Sequence, residues 1–224
     1  MIAVAGGKGG SGKTTTTLGL ARALSRRGAP VVAADADWDL PNLAPLTSAT
    51  DGDRGPAEDA ATVVEAGTSG DPVRPNRRAP TVLSAPEAPG EVDAERALTA
   101  LAGAVPDDAP TLLDCPAGAS PDAAAPLQAA ARCLLVTPLR RAALRDTAKT
   151  AALARRLGCP PVGAVAARSE SVPDGVSDLF GCPILGGVPE TDADPLSVPA
   201  VRSAYEEVAG RLVDECDSDR WRVA

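Results

Sequence analysis

The chain has 224 residues, 44% hydrophobic but only 2% aromatic, with 30 acidic against 22 basic side chains, a formal charge of −8 and no histidine. That length suits one domain with a buried core of Ala, Val and Leu, and the acidic surplus speaks against a broad basic face for nucleic acid. Without histidine, His-based general-base and triad mechanisms are excluded, and five scattered cysteines with no C-x-x-C pair read as buried or free thiols rather than a metal site.

The chain opens on an apolar run, "IAVA" (2–5), which reads as a strand running straight into a glycine-rich stretch, so no leader segment is expected ahead of it. A helix follows over about 13–27, ending near Gly28, and "PVVAADAD" (30–37) is a second strand with acids at its carboxyl end. A Pro-, Asp- and Gly-rich region from about 41 to 80 interrupts the rhythm and is expected to hold loop and short helices such as "DAATVVEAG". The alternation then resumes: strand 81–86, helix 92–104, strand 110–116, helix about 121–131, strand 133–138, helix about 140–157, strands 161–167 and 183–189, and a last helix over 199–215. Strands that are apolar throughout, each followed by a helix, predict one α/β domain over 1–215: a doubly wound, mostly parallel sheet with helices on both faces. Residues 216–224 read as a short, frayed tail. No apolar run reaches the ~18 residues of a membrane span, and the expected location is the cytoplasm.

The stretch "GKGGSGKTTTT" satisfies the phosphate-loop pattern as Gly7-x-x-x-x-Gly12-Lys13-Thr14, with a strand before it and a helix after. Its glycines let successive backbone N–H groups turn toward phosphate oxygens, and the helix N-terminus adds a partial positive charge. Gly7, Gly9, Gly10, Ser11, Gly12, Lys13, Thr14 and Thr15 are therefore the expected nucleotide-binding residues, with Lys13 on the β- and γ-phosphates and the Thr14 hydroxyl on Mg2+.

The chain has only three lysines, and two lie in this stretch. Lys8-Gly9-Gly10-x-Gly12-Lys13-Thr14-Thr15 resembles the deviant Walker A motif of the MinD/ParA ATPases. That resemblance implies a SIMIBI-type P-loop NTPase in which Lys8 reaches across a face-to-face homodimer to the partner's nucleotide, acting as an arginine finger does elsewhere. "DADWDLPNL" resembles the family's first switch segment. By that resemblance Asp35 lies near the Mg2+ shell and Asp37 orients or deprotonates the attacking water; the alternative is that these acids cap the next helix or bend the turn before Pro41. "PTLLDCPAG" resembles the Walker B and second switch segment, which makes Asp114 a Mg2+ contact and Gly118 a pivot. "GGVPE" (186–190) resembles the turn beside the adenine, so Pro189 and Glu190 join the expected nucleotide contacts. In one departure, Ala166-Ala167-Arg168 stands where the family carries an Asn on the base; ATP is still the expected nucleotide.

The implied function is an ATP-hydrolysing switch that dimerises around ATP and positions cellular cargo, with slow hydrolysis stimulated by a protein activator or cargo adaptor. Two alternatives stay open: a metabolic P-loop enzyme resembling dethiobiotin or cobyrinate synthetases, and a nucleotide-binding module without turnover. Membrane docking through Trp221 with Arg220 and Arg222 is not favoured, because the tail is short and acidic. DNA contact through "VRPNRR" (73–78) is not favoured on an acidic surface, and Arg140, Arg141 and Arg145 read as a solvated helix face.

Overall fold

Seven of the apolar runs pair side by side, all parallel, in the computed structural model of the protein, which describes residues 1–7, 9–50 and 61–217. They are β1 (Ile2–Gly6), β2 (Val32–Asp35), β3 (Thr81–Leu83), β4 (Thr111–Asp114), β5 (Arg132–Pro138), β6 (Pro161–Ala167) and β7 (Ile184–Val188), in the order β3-β2-β4-β1-β5-β6-β7. Successive side chains of a strand point to opposite faces, and the sheet sorts them accordingly. Ile2 and Val4 enter one apolar cluster and Ala3 and Ala5 the other. The first cluster is closed by α1 (Lys13–Arg26), α2 (Leu43–Thr50) and α8 (Pro199–Asp217). The second is closed by α3 (Val63–Thr68), α4 (Ala94–Ala104), α5 (Ala124–Ala129), α6 (Arg141–Arg156) and α7 (Val176–Phe180). Among the described residues each side contains one fully buried aromatic ring, Tyr205 in the first and Phe180 in the second, with Trp38 partly buried against the second.

The doubly wound architecture matches the expectation, and the sheet is parallel throughout rather than mostly so. The second strand is shorter than 30–37 because the chain turns away after Asp35. The Ala36 N–H still donates to the Asp114 carbonyl (2.9 Å), but the Asp37 N–H donates to the Asp35 carboxylate (3.1 Å) instead of to a strand. The expected helix at 121–131 opens as a 3-10 turn, Pro121–Ala123, and ends at Ala129. Helix α7 was not foreseen; it is only five residues long, too short to show an apolar period, and is bounded by two left-handed glycines, Gly175 and Gly181. Helix α8 runs two residues past 215 because Val208, Leu212 and Cys216 recur at four-residue spacing and are all buried. Residues 218–224, with Trp221, Arg220 and Arg222, lie outside the described residues. Among the described residues no helix is long and apolar enough to cross a membrane.

Helix α8 is seated on α1 through a close approach at Gly19, where an added Cβ would fall 2.4 Å from the Tyr205 ring. The ring is buried and its hydroxyl is within 3.3 Å of Thr16 Oγ1. Overpacking of a fixed ring costs about 1–3 kcal/mol, whereas replacing a helical glycine by alanine returns about 1 kcal/mol. Gly19→Ala is therefore expected to lower the thermal unfolding midpoint by a few degrees, measured by circular dichroism; an unchanged or raised midpoint would show that the α1–α8 contact yields freely.

Candidate nucleotide site

Strand β1 ends at Gly6 and helix α1 begins at Lys13, so the glycine loop joins the carboxyl end of a central strand to a helix N-terminus. In open parallel sheets this is where ligands collect. Gly12 occupies the N-cap position at φ 92°, a left-handed conformation that an L side chain rarely adopts, and no side chain caps the helix. The first-turn N–H groups of α1 are thus left facing the loop, the arrangement that binds an anion. Ser11 Oγ is buried there without a hydrogen-bond partner among the described residues. The loop is braced from behind by α6: Gly7 N–H donates to Thr147 Oγ1 (3.2 Å) and Thr150 Oγ1 donates to the Gly6 carbonyl (3.2 Å). The Gly118 N–H donates to that same carbonyl at 3.1 Å, tying the segment after β4 to the loop. Lys8 lies outside the described residues.

Of the four consecutive threonines that follow Lys13, Thr14 and Thr17 meet Asp114, and Thr15 and Thr16 face elsewhere. The Thr14 hydroxyl hydrogen-bonds to the Asp114 carboxylate. Thr15 borders a neighbouring cavity, Thr16 meets Tyr205, and Thr17 Oγ1 donates to the Lys13 carbonyl at 3.0 Å and lies 3.4 Å from Asp114 Oδ1. Lys13 itself is only 7% exposed, enclosed where its ammonium faces the carboxylates described next.

Asp35 and Asp114 end adjacent strands and are direct partners in the β2–β4 register, both 1% exposed. Burial pushes the Asp114 carboxyl up to about 7; the Thr14 hydrogen bond and Lys13 oppose this, and the neighbouring Asp35 adds to it. Burial likewise raises Asp35 to about 6, against three backbone amides that favour its charged form. Those amides are Asp37 N–H to Oδ1 (3.1 Å) and Asn42 and Leu43 N–H to Oδ2 (3.1 and 3.0 Å). Trp38 Nε1 closes the same turn on the Asp35 carbonyl at 2.9 Å. Asp37, half-buried, is raised by burial, while Lys13 and the Leu40 N–H draw it back toward its ordinary range.

The carboxyl edge of the sheet thus brings together a glycine loop on a helix N-terminus, a buried lysine, and two carboxylates at adjacent strand ends. The profile of the CobQ/CobB/MinD/ParA nucleotide binding domain matches residues 2–198. The chain belongs to this family. A 43-residue stretch is 58% identical to the septum site-determining protein MinD of Synechocystis sp., a match spanning 19% of this chain and 16% of that relative. Among solved structures, the fold is similar to the Pyrococcus horikoshii septum site-determining protein MinD complexed with Mg-ADP (TM-score 0.77, 23% identity, 99% of this chain and 98% of that one). It is similar also to the Pyrococcus furiosus cell division ATPase MinD (0.75, 26%, 95% and 98%). A third likeness is to cobyrinic acid a,c-diamide synthase from Mycobacterium smegmatis with bound ADP and magnesium (0.70, 24%, 98% and 96%).

In this family member, Pro189 and Glu190 line a cavity of about 250 Å3 beside the loop, together with Gly12, Thr15, Arg168 and Tyr205. Arg168 stands at φ 56°, held there because the Ser169 N–H donates to the Val188 carbonyl at 2.8 Å. The described part of the expected set thus converges on one mouth: the loop, Lys13, Thr14, Asp35, Asp37 and Asp114 at its phosphate end, Thr15, Pro189 and Glu190 at the other. Sequence reasoning missed Thr147 and Thr150; their signal was a pair of hydroxyls three residues apart in the buried stripe of α6. Of the arginines at 73–78, Arg77 is engaged by Asp108 (3.2 Å) and the Gly28 carbonyl.

The raised carboxyls make stability depend on pH. From their unfolded value of 3.8 up to about 6 and 7, Asp35 and Asp114 bind more protons in the folded state, so stability falls as pH rises through that window. Without nucleotide or metal ion, the unfolding midpoint is expected to drop between pH 5 and 8. Asp114→Asn should remove much of that slope and raise the midpoint at pH 8 by roughly 5 °C. A steeper slope in the variant would refute this account.

Proposed function

We propose that this protein is an ATP-binding and ATP-hydrolysing switch that dimerises around its nucleotide and positions cellular cargo. The observation that carries the reading is the convergence of Lys13, Thr14, Asp37 and Asp114 on the mouth of the phosphate loop. Lys13 neutralises phosphate charge within its own subunit, and the uncapped amides of α1 receive the phosphate oxygens. The residues fit Mg2+, since two buried carboxylates with raised pKa gain from a cation, and such sites use one or two carboxylates plus phosphates. Thr14 and Asp114 are the direct contacts; both oxygens of Asp35 are engaged by amides, so it acts from behind as the anchor of the 37–43 turn. The bound ion would offset charge on the transferring phosphoryl group.

Asp37 holds the attacking water in line with the terminal phosphorus, the water oxygen forms the new P–O bond as the bond to ADP breaks, and the proton passes to Asp37 or to phosphate. Lys8 supplies its charge to the partner's nucleotide, which makes turnover depend on dimerisation. Pro189 and Glu190 flank the base. Hydrolysis is slow until a protein activator or cargo adaptor binds, and the site of action is the cytoplasm. The metabolic alternative is disfavoured by charge: the cavity of about 470 Å3 bordered by the turn after β2 and the start of α4 has four carboxylates and, among the described residues, no cation in its lining, a poor receptacle for a carboxylic acid substrate.

ATP turnover and oligomeric state, measured for the unmodified protein, Lys8→Ala and Asp37→Ala, test the reading. Asp37→Ala should lose about 10²-fold or more in turnover and accumulate an ATP-bound dimer. Lys8→Ala should bind ATP yet stay monomeric. Monomers under every condition would overturn the switch and leave a nucleotide-binding module.

A further inference from the structure

A second cavity, of about 470 Å3, opens on the β2–β4 side of the same strand ends. Three segments build it: the turn after β2, the run from Pro89 into the first turn of α4, and the stretch from Pro116 to Gln128. Trp38 and Leu98 belong to its apolar lining, and among the described residues its charged lining is Asp39, Asp93, Glu95 and Asp122, with no lysine or arginine. Asp93 is committed locally, accepting from Arg96 N–H at the N-cap of α4 (3.1 Å). Asp39, Glu95 and Asp122 have no ion-pair partner among the described residues. Three separate pieces of backbone therefore bring uncompensated negative charge to one apolar-walled hollow large enough for a ligand.

We propose that this cavity receives an arginine or lysine side chain of a partner polypeptide. The inference rests on the switch reading, because it names where the activating partner engages. The fit is one of charge and shape. A cationic head answers the carboxylates, its aliphatic stem lies on Leu98, and Trp38 offers an aromatic face. The site also touches the chemistry. Trp38 and Asp39 follow Asp37 directly in the chain. A cation between Asp39 and Asp122 bridges the segments that follow β2 and β4.

Trp38 and Trp221 are the only tryptophans, so Trp221→Phe leaves Trp38 as the sole fluorescent reporter at the cavity. The probes are an acetylated, amidated hexapeptide containing two arginines and two leucines, the same peptide with citrulline for arginine, and free agmatine. The arginine peptide should change Trp38 emission saturably, with a midpoint on the order of 1 mM, and lose affinity as salt is raised from about 0.05 to 0.5 M. The citrulline peptide should bind about tenfold more weakly, as should the arginine peptide to the Glu95→Gln/Asp122→Asn double variant, whose fold is checked by circular dichroism. No saturable response, equal binding of the citrulline peptide, or undiminished binding to the double variant overturns the proposal. Agmatine binding as tightly as the peptide overturns the polypeptide and points to a small cation. An ATP-bound dimer that ignores the peptide sinks only this inference, whereas a chain that binds the peptide but never dimerises sinks the switch and leaves the cavity standing.

Discussion

Two aspartates placed side by side at the ends of parallel strands, nearly sealed from water, set the electrostatics of the site. Asp35 and Asp114 repel each other, and burial disfavours the charge of both. The surroundings answer in two ways. Three backbone amides fold over Asp35 and so shape the turn that presents Asp37, while Asp114 is met by threonine hydroxyls and faces Lys13 from the first turns of α1. Among the described residues the site sets one lysine against three carboxylates, a balance that favours binding of a cation together with its anionic ligand.

The phosphate loop depends on the same neighbourhood. Its amides are free to bind because Gly12 enters α1 without a side-chain cap, and its course is held by contacts distant in sequence: Thr147 and Thr150 of α6, and the Gly118 amide after β4. The Gly118 bond connects the loop to the segment that follows Asp114, so a ligand that moves one bears on the other. The acidic cavity extends this connection outward, since it is built from the turn after Asp35, the stretch beyond Asp114 and the start of α4. Chemistry at the loop and charge at the surface thus share two segments of backbone.

Much of this was legible in the order of residues. Short-range patterns survive in any context: a glycine loop between an apolar strand and a helix, acids immediately after apolar runs, and a parallel sheet from alternating elements. Boundaries were less legible where a side chain competes with the backbone, as when the Asp35 carboxylate takes the Asp37 amide and ends β2 early. The capping alternative weighed for the acids after the second strand is realised at Asp35, whose oxygens hold the amides leading into α2. Helix α8 outran its expected end because Cys216 is buried on an apolar face that composition had made look polar.

By itself the sequence determined the sheet class, the phosphate loop and the acids that close each strand, because these follow from periodicity and local backbone geometry. Only the tertiary structure decided which distant residues meet. Thr147 and Thr150 reach the loop from about 140 residues away. Asp35 becomes an anchor because its partners are amides that carry no mark in the sequence. Four carboxylates scattered over Asp39–Asp122 become one charged hollow. Burial and charge act through space, and their values are set only once the strands have been brought into register.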